Sequence, residues 1–302
     1  MPEWDPEIEI DADAARDLIG GQFPELGGAT IEPLGVGWDN VVFRVAGDWA
    51  FRFPRRSIAI PGVEREIDVL GRLATHLPLS IPTPRWVGAP TAAYPWPWFG
   101  ARFLSGVELA LAGLADDDRT EAGAALGEFL RVLHAPRLAR LVGTTLPVDP
   151  MRRADMGLRA PFARQRIAQA AEVARFQPPA ELDALLSNAE RLPPSPRTRV
   201  VHGDLHARHV LIDGHGRVSG VIDWGDVCMG DPSIDLSVAY GSFTGAARRA
   251  LLDAYGPIDG LTELRARVIG TFRAAALLAY AVDRDMPAIR DESRRALERV
   301  LT

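Results

Sequence analysis

The sequence predicts an α+β fold with two lobes, a small β-rich N-terminal lobe and a larger helical C-terminal lobe. Short strand-like segments flank the tight turn Ala46-Gly47, whereas amphipathic helical segments dominate beyond residue 106. The 302 residues, 47% of them hydrophobic, suffice to bury a substantial core. We predict lobes at residues 1–101 and 107–302, joined by a hinge at 102–106, with a ligand cleft between them.

The N-terminal lobe combines strand signals with two helical segments. Apolar residues recur with helical spacing in the second helical segment, and the last strand signal ends at Ser105-Gly106. The predicted helices are 11–20 and 62–76, and the predicted strands are 30–34, 40–45, 48–53 and 99–104. We expect the aromatic stretch 94–98 to pack inside this lobe.

The C-terminal lobe reads as helices that surround a small β insert. Its helices are predicted at 120–134, 162–176 and 181–191 and again from residue 232 onward, and its strands at 199–202, 210–213 and 218–223.

Composition excludes several function classes. The net charge of −6 disfavours nucleic acid as a partner and suits a cationic ligand. No apolar run reaches the roughly 18 residues that span a bilayer, and the first residues are acidic and polar, so we expect neither a membrane span nor a signal peptide. A single cysteine, Cys228, rules out an internal disulfide and favours a cytoplasmic location. All 34 basic residues are arginine, so arginine or backbone N–H groups must make any phosphate contact.

The segment 200–236 carries the chemistry. His202-Gly203-Asp204 is followed by His209 five residues after the aspartate, and Asp223-Trp224-Gly225 begins nineteen residues after it. Protein kinases use the same order of a His-x-Asp loop, a metal ligand and an Asp-Phe-Gly motif. Phosphoryl transfer needs a well-placed hydroxyl and cations that absorb charge, so Asp204 is predicted to orient the hydroxyl and accept its proton. Asp223 is predicted to bind Mg²⁺.

This segment resembles the catalytic loop of the aminoglycoside phosphotransferase family of antibiotic kinases, and Gly230-Asp231-Pro232 extends the resemblance. Family members carry His-Gly-Asp-Leu, a metal ligand five residues after the aspartate, and then Ile-Asp. The resemblance implies a protein-kinase-like fold. It also implies transfer of a phosphoryl group from ATP or GTP, with Mg²⁺, to a hydroxyl of an antibiotic-like small molecule.

The resemblance reaches into the N-terminal lobe and implies a nucleotide site there. Arg52 occupies the position of the family's lysine on a strand, and Glu66 is the helix glutamate expected to pair with it. The remaining implied nucleotide contacts are Gly35 and Gly37 in a loop over the phosphates that continues through Trp38-Asp39-Asn40, and Ala101 and Phe103 in the hinge.

His209 stands where the family usually has asparagine. Because Mg²⁺ prefers oxygen ligands, imidazole at this position indicates either a degraded kinase or a working variant. The macrolide branch of the family is similar to this chain in having His here. A zinc site built from His202, His206, His209 and His215 is disfavoured, because the spacing matches no familiar finger or protease and lies on a loop.

Three functions remain open: an aminoglycoside kinase, a macrolide kinase and a pseudokinase. An aminoglycoside suits the acidic balance, a macrolide suits His209, and a pseudokinase would bind nucleotide without turnover. Asp226, Asp231 and His206 are candidate substrate contacts, and a role in bracing the loop is the alternative for Asp231. We expect Asp235 and His202 to brace the catalytic loop.

Overall fold

The computed structural model of the protein describes residues 5–37 and 39–302, which form two compact units. The first unit comprises the described residues up to His76, together with Ser80–Leu104 and Trp224–Val227. The second unit comprises Leu77–Leu79, Ser105–Asp223 and Cys228–Thr302. The predicted α+β class, with strands concentrated in the N-terminal part and helices in the C-terminal part, is confirmed.

The first unit is an antiparallel sheet with helices beside it. Its helices are α1 (Ala12–Gln22) and α2 (Ile60–Ala74), and its strands are β1 (Ile31–Val36), β2 (Asn40–Val45), β3 (Trp49–Pro54), β4 (Pro84–Gly88) and β5 (Trp98–Arg102). The strand order is β1-β2-β3-β5-β4. Arg52 is paired with Val42 on one side and with Phe99 on the other, so it lies on the central strand.

Side chains along β2 are buried at every second position and thereby contribute to the core beside this sheet. Val41, Phe43 and Val45 are buried, and the residues between them are not, as expected for a strand with one face on a core. Trp98 stacks on Phe53 with 4.9 Å between ring centroids. The aromatic stretch 94–98 therefore contributes to core packing, as predicted.

The second unit is mainly helical. Its helices are α3 (Thr120–Leu133), α4 (Pro136–Val142), α5 (Met156–Ala174), α6 (Glu181–Ala189), α7 (Ser233–Gly241), α8 (Gly245–Tyr255), α9 (Gly260–Asp283) and α10 (Pro287–Arg299). Its short strands are β6 (Val107–Glu108), β7 (Arg199–Val201), β8 (Val210–Ile212), β9 (Val218–Val221) and β10 (Cys228–Gly230). They form a β6-β8-β9 sheet and a β10-β7 pair. No helix in the described part of the chain has the length and apolar character to cross a membrane.

Close helix packing organises this unit. Helix α9 packs against α5, α7 and α10, and α3 packs against α8. A Cβ atom added at Gly127 would lie 2.1 Å from the carbonyl oxygen of Leu251, so α3 approaches α8 too closely there for any side chain. The unit thus depends on glycine at that position.

Helix α5 departs from the sequence prediction. The predicted segment 162–176 starts after Pro161, but the helix begins at Met156 and Pro161 lies inside it. Proline at the sixth position of the helix removes one hydrogen bond. Burial of Arg159, Ala160 and Ala163 on the face of α5 offsets that loss.

Helix α10 is anchored by a buried ion cluster. The Glu292 carboxylate, 4% exposed, accepts hydrogen bonds from Arg119 Nη1 at 2.7 Å, Arg299 Nη1 at 2.7 Å and Arg295 Nη2 at 2.8 Å. Burial by itself would raise the pKa of Glu292, but the hydrogen bonds and charges of Arg119 and Arg299 outweigh it and lower the pKa to about 2.

We expect Glu292→Gln to destabilise the protein by roughly 3–5 kcal/mol at pH 7, because it leaves buried guanidinium groups uncompensated. Since the folded pKa lies below the ordinary value of 4.5, the carboxylate stabilises the fold above that value. This contribution is lost as the pH falls from about 4.5 toward about 2. Denaturant unfolding of wild type and variant from pH 7 to pH 3 measures it, with Glu298→Gln on the exposed side of α10 as control. A pH-independent difference would contradict the assignment.

Candidate active site

The loop between β7 and β8 carries Asp204, and Asp235 at the start of α7 holds its backbone. The Asp235 carboxylate accepts the N–H of His202 at 2.7 Å and the N–H of Gly203 at 3.0 Å. Gly203 has φ of +92°, a conformation that L side chains rarely adopt. The prediction that Asp235 braces the catalytic loop is confirmed.

Two further side chains, His134 and Tyr255, form a hydrogen-bonded chain that ends at the Asp235 carboxylate. His134 Nε2 lies 3.1 Å from Asp235 Oδ2, and His134 Nδ1 lies 3.0 Å from the hydroxyl of Tyr255. Burial alone would raise the pKa of Asp235, but the hydrogen bond and charge of His134 and the loop N–H of His202 lower it. Asp235 is therefore an ionised anchor whose oxygens receive three donors.

His202 also braces the loop, as predicted. Its Nε2 donates to the carbonyl of Ile222 at 2.9 Å, and its Nδ1 accepts the N–H of Asp204 at 3.2 Å. Burial lowers the pKa of His202, which agrees with the neutral ring that these two contacts require. His202 thus connects the loop to the chain immediately before Asp223.

The Asp204 carboxylate lies among cationic and imidazole groups. Arg273 Nε is 3.2 Å from its Oδ1, and His206 Nε2 is 3.6 Å from its Oδ2. Burial would raise the pKa of Asp204, but His206, Arg273 and His209 hold it well below its usual range. The side chain remains 32% exposed, so it can accept a hydrogen bond from a bound hydroxyl. Its low pKa favours orientation of the hydroxyl over strong basicity.

His209 links the loop to Asp223. Its Nδ1 lies 2.7 Å from the carbonyl oxygen of Asp204, so Nδ1 carries a proton and donates it to that oxygen. Its Nε2 lies 3.3 Å from Asp223 Oδ2. An imidazole whose Nδ1–H binds a carbonyl oxygen is typical of metal-binding histidines.

The donor atoms here fit a divalent cation. Asp204, His206 and His209 each offer a ligand atom within 4.8 Å of the others. Burial lowers the pKa of His206 to about 4, so its ring is neutral near pH 7. Asp223 has φ of +64°, a left-handed conformation that is costly outside glycine and is found at functional sites. The cluster of three donors includes His209 but not the predicted ligand Asp223, whose Oδ2 lies 3.3 Å from His209 Nε2.

The first unit brings Arg52 and Glu66 together. Arg52 Nη1 lies 3.0 Å from Glu66 Oε1, and Glu66 is only 1% exposed in α2. The same oxygen accepts the N–H of Trp224 at 3.1 Å, and Arg65 Nη2 donates to the carbonyl of Gly225. Helix α2 thus holds the residues that follow Asp223 in the chain.

The other predicted nucleotide contacts lie along the sheet. Gly35 is exposed on β1, and Gly37 donates its N–H to the carbonyl of Asn40 at 2.8 Å. Trp38, predicted in the same loop, lies outside the described residues. Ala101 is buried on β5, and the N–H of Phe103 donates to the carbonyl of Asp48 at 2.8 Å. The backbone N–H of Phe103 is therefore already engaged in a hydrogen bond within the first unit.

The three candidate substrate contacts differ in their surroundings. His206 lies against Asp204, and Asp226 is half-buried in the segment that belongs to the first unit. Asp231 is buried, and its Oδ1 accepts the N–H of Ser233 at 2.8 Å at the start of α7. The geometry of Asp231 favours the bracing role over a substrate contact.

One residue of this site, Arg273, was not predicted from the sequence. No motif surrounds it, and it lies in the middle of α9 within the apolar run 268–282. An isolated arginine in such a run signals a buried partner, because arginine is almost never fully buried unless paired. That signal was present but did not identify Asp204 as the partner.

Comparison with known proteins identifies the family. The model of the "Phosphotransferase enzyme family" matches residues 30–268, well over half of the chain. Viomycin phosphotransferase of Streptomyces vinaceus is 35% identical over 116 residues, and YcbJ of Bacillus subtilis (strain 168), described as uncharacterized, is 42% identical over 62. These matches cover 37% and 20% of this chain, and 38% and 20% of the relatives' own length.

Solved structures show the same fold. The GDP complex of wild-type aminoglycoside 2'-phosphotransferase-IIIa aligns with a TM-score of 0.68 and 22% identity, over 97% of this chain and 99% of that chain. Macrolide 2'-phosphotransferase MphH from Brachybacterium faecium aligns with a TM-score of 0.59 and 24% identity, over 94% and 98%. The resemblance seen in the sequence is confirmed, and this chain belongs to the phosphotransferase enzyme family.

Proposed function

We propose that this phosphotransferase moves the γ-phosphoryl group of ATP or GTP to a hydroxyl of an antibiotic-like small molecule. The observation that carries the proposal is the ionised Asp204 carboxylate, held on a braced loop with His209 and Asp223 beside it. We assign nucleotide binding to residues 1–101, the hinge to 102–106, and catalysis and acceptor binding to 107–302. A cytoplasmic location suits a chain that uses a nucleoside triphosphate.

The reaction is an in-line displacement at phosphorus. Asp204 accepts a hydrogen bond from the acceptor hydroxyl, orients its oxygen toward the γ-phosphorus and takes its proton as the new O–P bond forms. The bond from phosphorus to the bridging oxygen breaks, and the nucleoside diphosphate leaves with that oxygen's electron pair. The acceptor is released as its phosphate monoester.

His209 Nε2 and Asp223 are the residues that would hold Mg²⁺, and the bound ion supplies charge neutralisation for the phosphate oxygens. In the first unit, Arg52 supports the phosphates and Glu66 orients Arg52. Arginine is suited to this task because its planar fork of donors can bind a carboxylate and phosphate oxygens. Gly35 and Gly37 are proposed near the phosphates, and Ala101 and Phe103 near the base.

An aminoglycoside is the first acceptor to test. The net charge of −6 favours a polycation, and two enzymes named above act on an aminoglycoside and on viomycin. A macrolide is the second candidate, supported by His209 and by the structural likeness to macrolide 2'-phosphotransferase MphH. Release of ADP or GDP across aminoglycosides, macrolides and viomycin, with each nucleotide, tests these choices. Nucleotide binding without turnover of any acceptor would favour a pseudokinase.

We expect Asp204→Asn to reduce kcat by roughly 10²- to 10⁴-fold, because an amide neither carries the charge nor takes the proton. Nucleotide affinity, measured by calorimetry, should change little, since Asp204 acts on the acceptor. Asp253→Asn, at an exposed position of α8, is the matched control and should retain full activity. Turnover by Asp204→Asn at the wild-type rate would remove the central assignment.

We expect His209→Asn to shift metal preference toward Mg²⁺, because an amide oxygen is a harder ligand than an imidazole nitrogen. Electron paramagnetic resonance of bound Mn²⁺, titrated with competing Mg²⁺ in the presence of nucleotide, gives the affinity ratio of the two ions. Chelation of the metal should stop turnover in wild type. His215→Asn replaces an exposed histidine in the same way and should leave the ratio unchanged. An unchanged ratio in His209→Asn would exclude His209 as a ligand.

A further inference from the structure

Arg273 is a buried arginine whose guanidinium faces the catalytic loop. It lies on α9 with 7% of its surface exposed. Its Nη1 donates to the carbonyls of Leu205 at 3.1 Å and Ile234 at 2.7 Å, and its Nη2 donates to the carbonyl of Gly203. A buried guanidinium is costly unless its donors are satisfied, and here the loop and α7 supply the acceptors.

The third nitrogen of the same group contacts the reacting side chain. Arg273 Nε lies 3.2 Å from Asp204 Oδ1. One planar group therefore binds the residue before Asp204, the Asp204 carboxylate and the residue after it. Asp204 Oδ2 faces His206 and His209, so the two carboxylate oxygens have different environments. Because guanidinium donors are rigid, these contacts restrict both the loop backbone and the rotation of the carboxylate.

We propose that Arg273 is a positioning residue, which fixes the Asp204 carboxylate in the orientation needed to receive the acceptor hydroxyl. The proposal rests on the proposed function, in which Asp204 acts on that hydroxyl. Misplacement of a catalytic group by about 1 Å can cost about a hundredfold in rate. A residue that holds the loop backbone and the carboxylate together therefore acts on kcat, whereas the nucleotide contacts of the first unit do not depend on it.

The alternative is that Arg273 only stabilises the packing of α9, and Arg248 is the matched control for that role. Arg248 is also buried, with 9% of its surface exposed. Its guanidinium donates to the carbonyls of Phe243 at 2.8 Å and Arg299 at 2.7 Å. These acceptors lie outside the catalytic loop. Its replacement removes a comparable set of buried hydrogen bonds without touching Asp204.

The experiment compares Arg273→Lys with Arg248→Lys. Lysine keeps the charge but loses the rigid fork of donors. We expect Arg273→Lys to lower kcat by roughly 10- to 100-fold, with acceptor KM and nucleotide affinity close to wild type. Arg248→Lys should lower Tm and leave kcat unchanged. An unchanged kcat in Arg273→Lys, or an equal loss of kcat in Arg248→Lys, would overturn the proposal.

A crystal structure of Arg273→Lys with a non-hydrolysable nucleotide provides a readout that needs no turnover. We expect the Asp204 carboxylate to be rotated or displaced while the Asp235 contacts to the loop persist. If Asp204→Asn keeps its activity, the proposed function fails, but this structure still tests the positioning role. An Asp204 side chain in its wild-type position would then refute it. Should Arg273→Lys not fold, Arg273→Gln serves in both measurements with the same expected losses, because one amide cannot bind the two loop carbonyls and the Asp204 carboxylate together.

Discussion

The buried carboxylate of Asp235 is the contact on which the catalytic loop depends. A carboxylate withdrawn from water is costly unless donors replace its hydration, and this one receives the N–H groups of His202 and Gly203 and the ring of His134. The hydroxyl of Tyr255 in turn contacts His134. Tyr255 of α8, His134 at the end of α3 and Asp235 of α7 thus form a chain of contacts, and its last member binds the loop backbone.

Two further groups act on Asp204 once its backbone is held. Arg273 contacts one carboxylate oxygen and the carbonyls on either side of the residue, while His206 faces the other oxygen. Their combined effect keeps the pKa of Asp204 low despite burial, so the side chain is a carboxylate near neutral pH. In the proposed reaction, a group of such low pKa contributes more by aligning the acceptor hydroxyl than by removing its proton early.

In the first unit, the buried carboxylate of Glu66 holds the site residues in place. Glu66 Oε1 accepts both the guanidinium of Arg52 and the N–H of Trp224. A strand residue proposed to bind phosphate and the residue next to the proposed metal ligand Asp223 thus share one buried oxygen. Gly62 lies so close to Gly225 that an added Cβ would be 2.9 Å from its carbonyl oxygen, which keeps α2 tight against this segment.

The sequence by itself determined the α+β class, most elements and the motif residues Asp204, His209 and Asp223, because period, turn chemistry and spacing are local properties of the chain. It also indicated Arg52 and Glu66 as a pair through the family resemblance. It misplaced the start of α5, since packing outweighed the effect of Pro161. Only the tertiary structure decided that Arg273 holds the catalytic loop and which N–H groups the predicted brace, Asp235, binds. Their partners lie on distant segments, and no local pattern encodes which buried charge meets which donor when the helices pack.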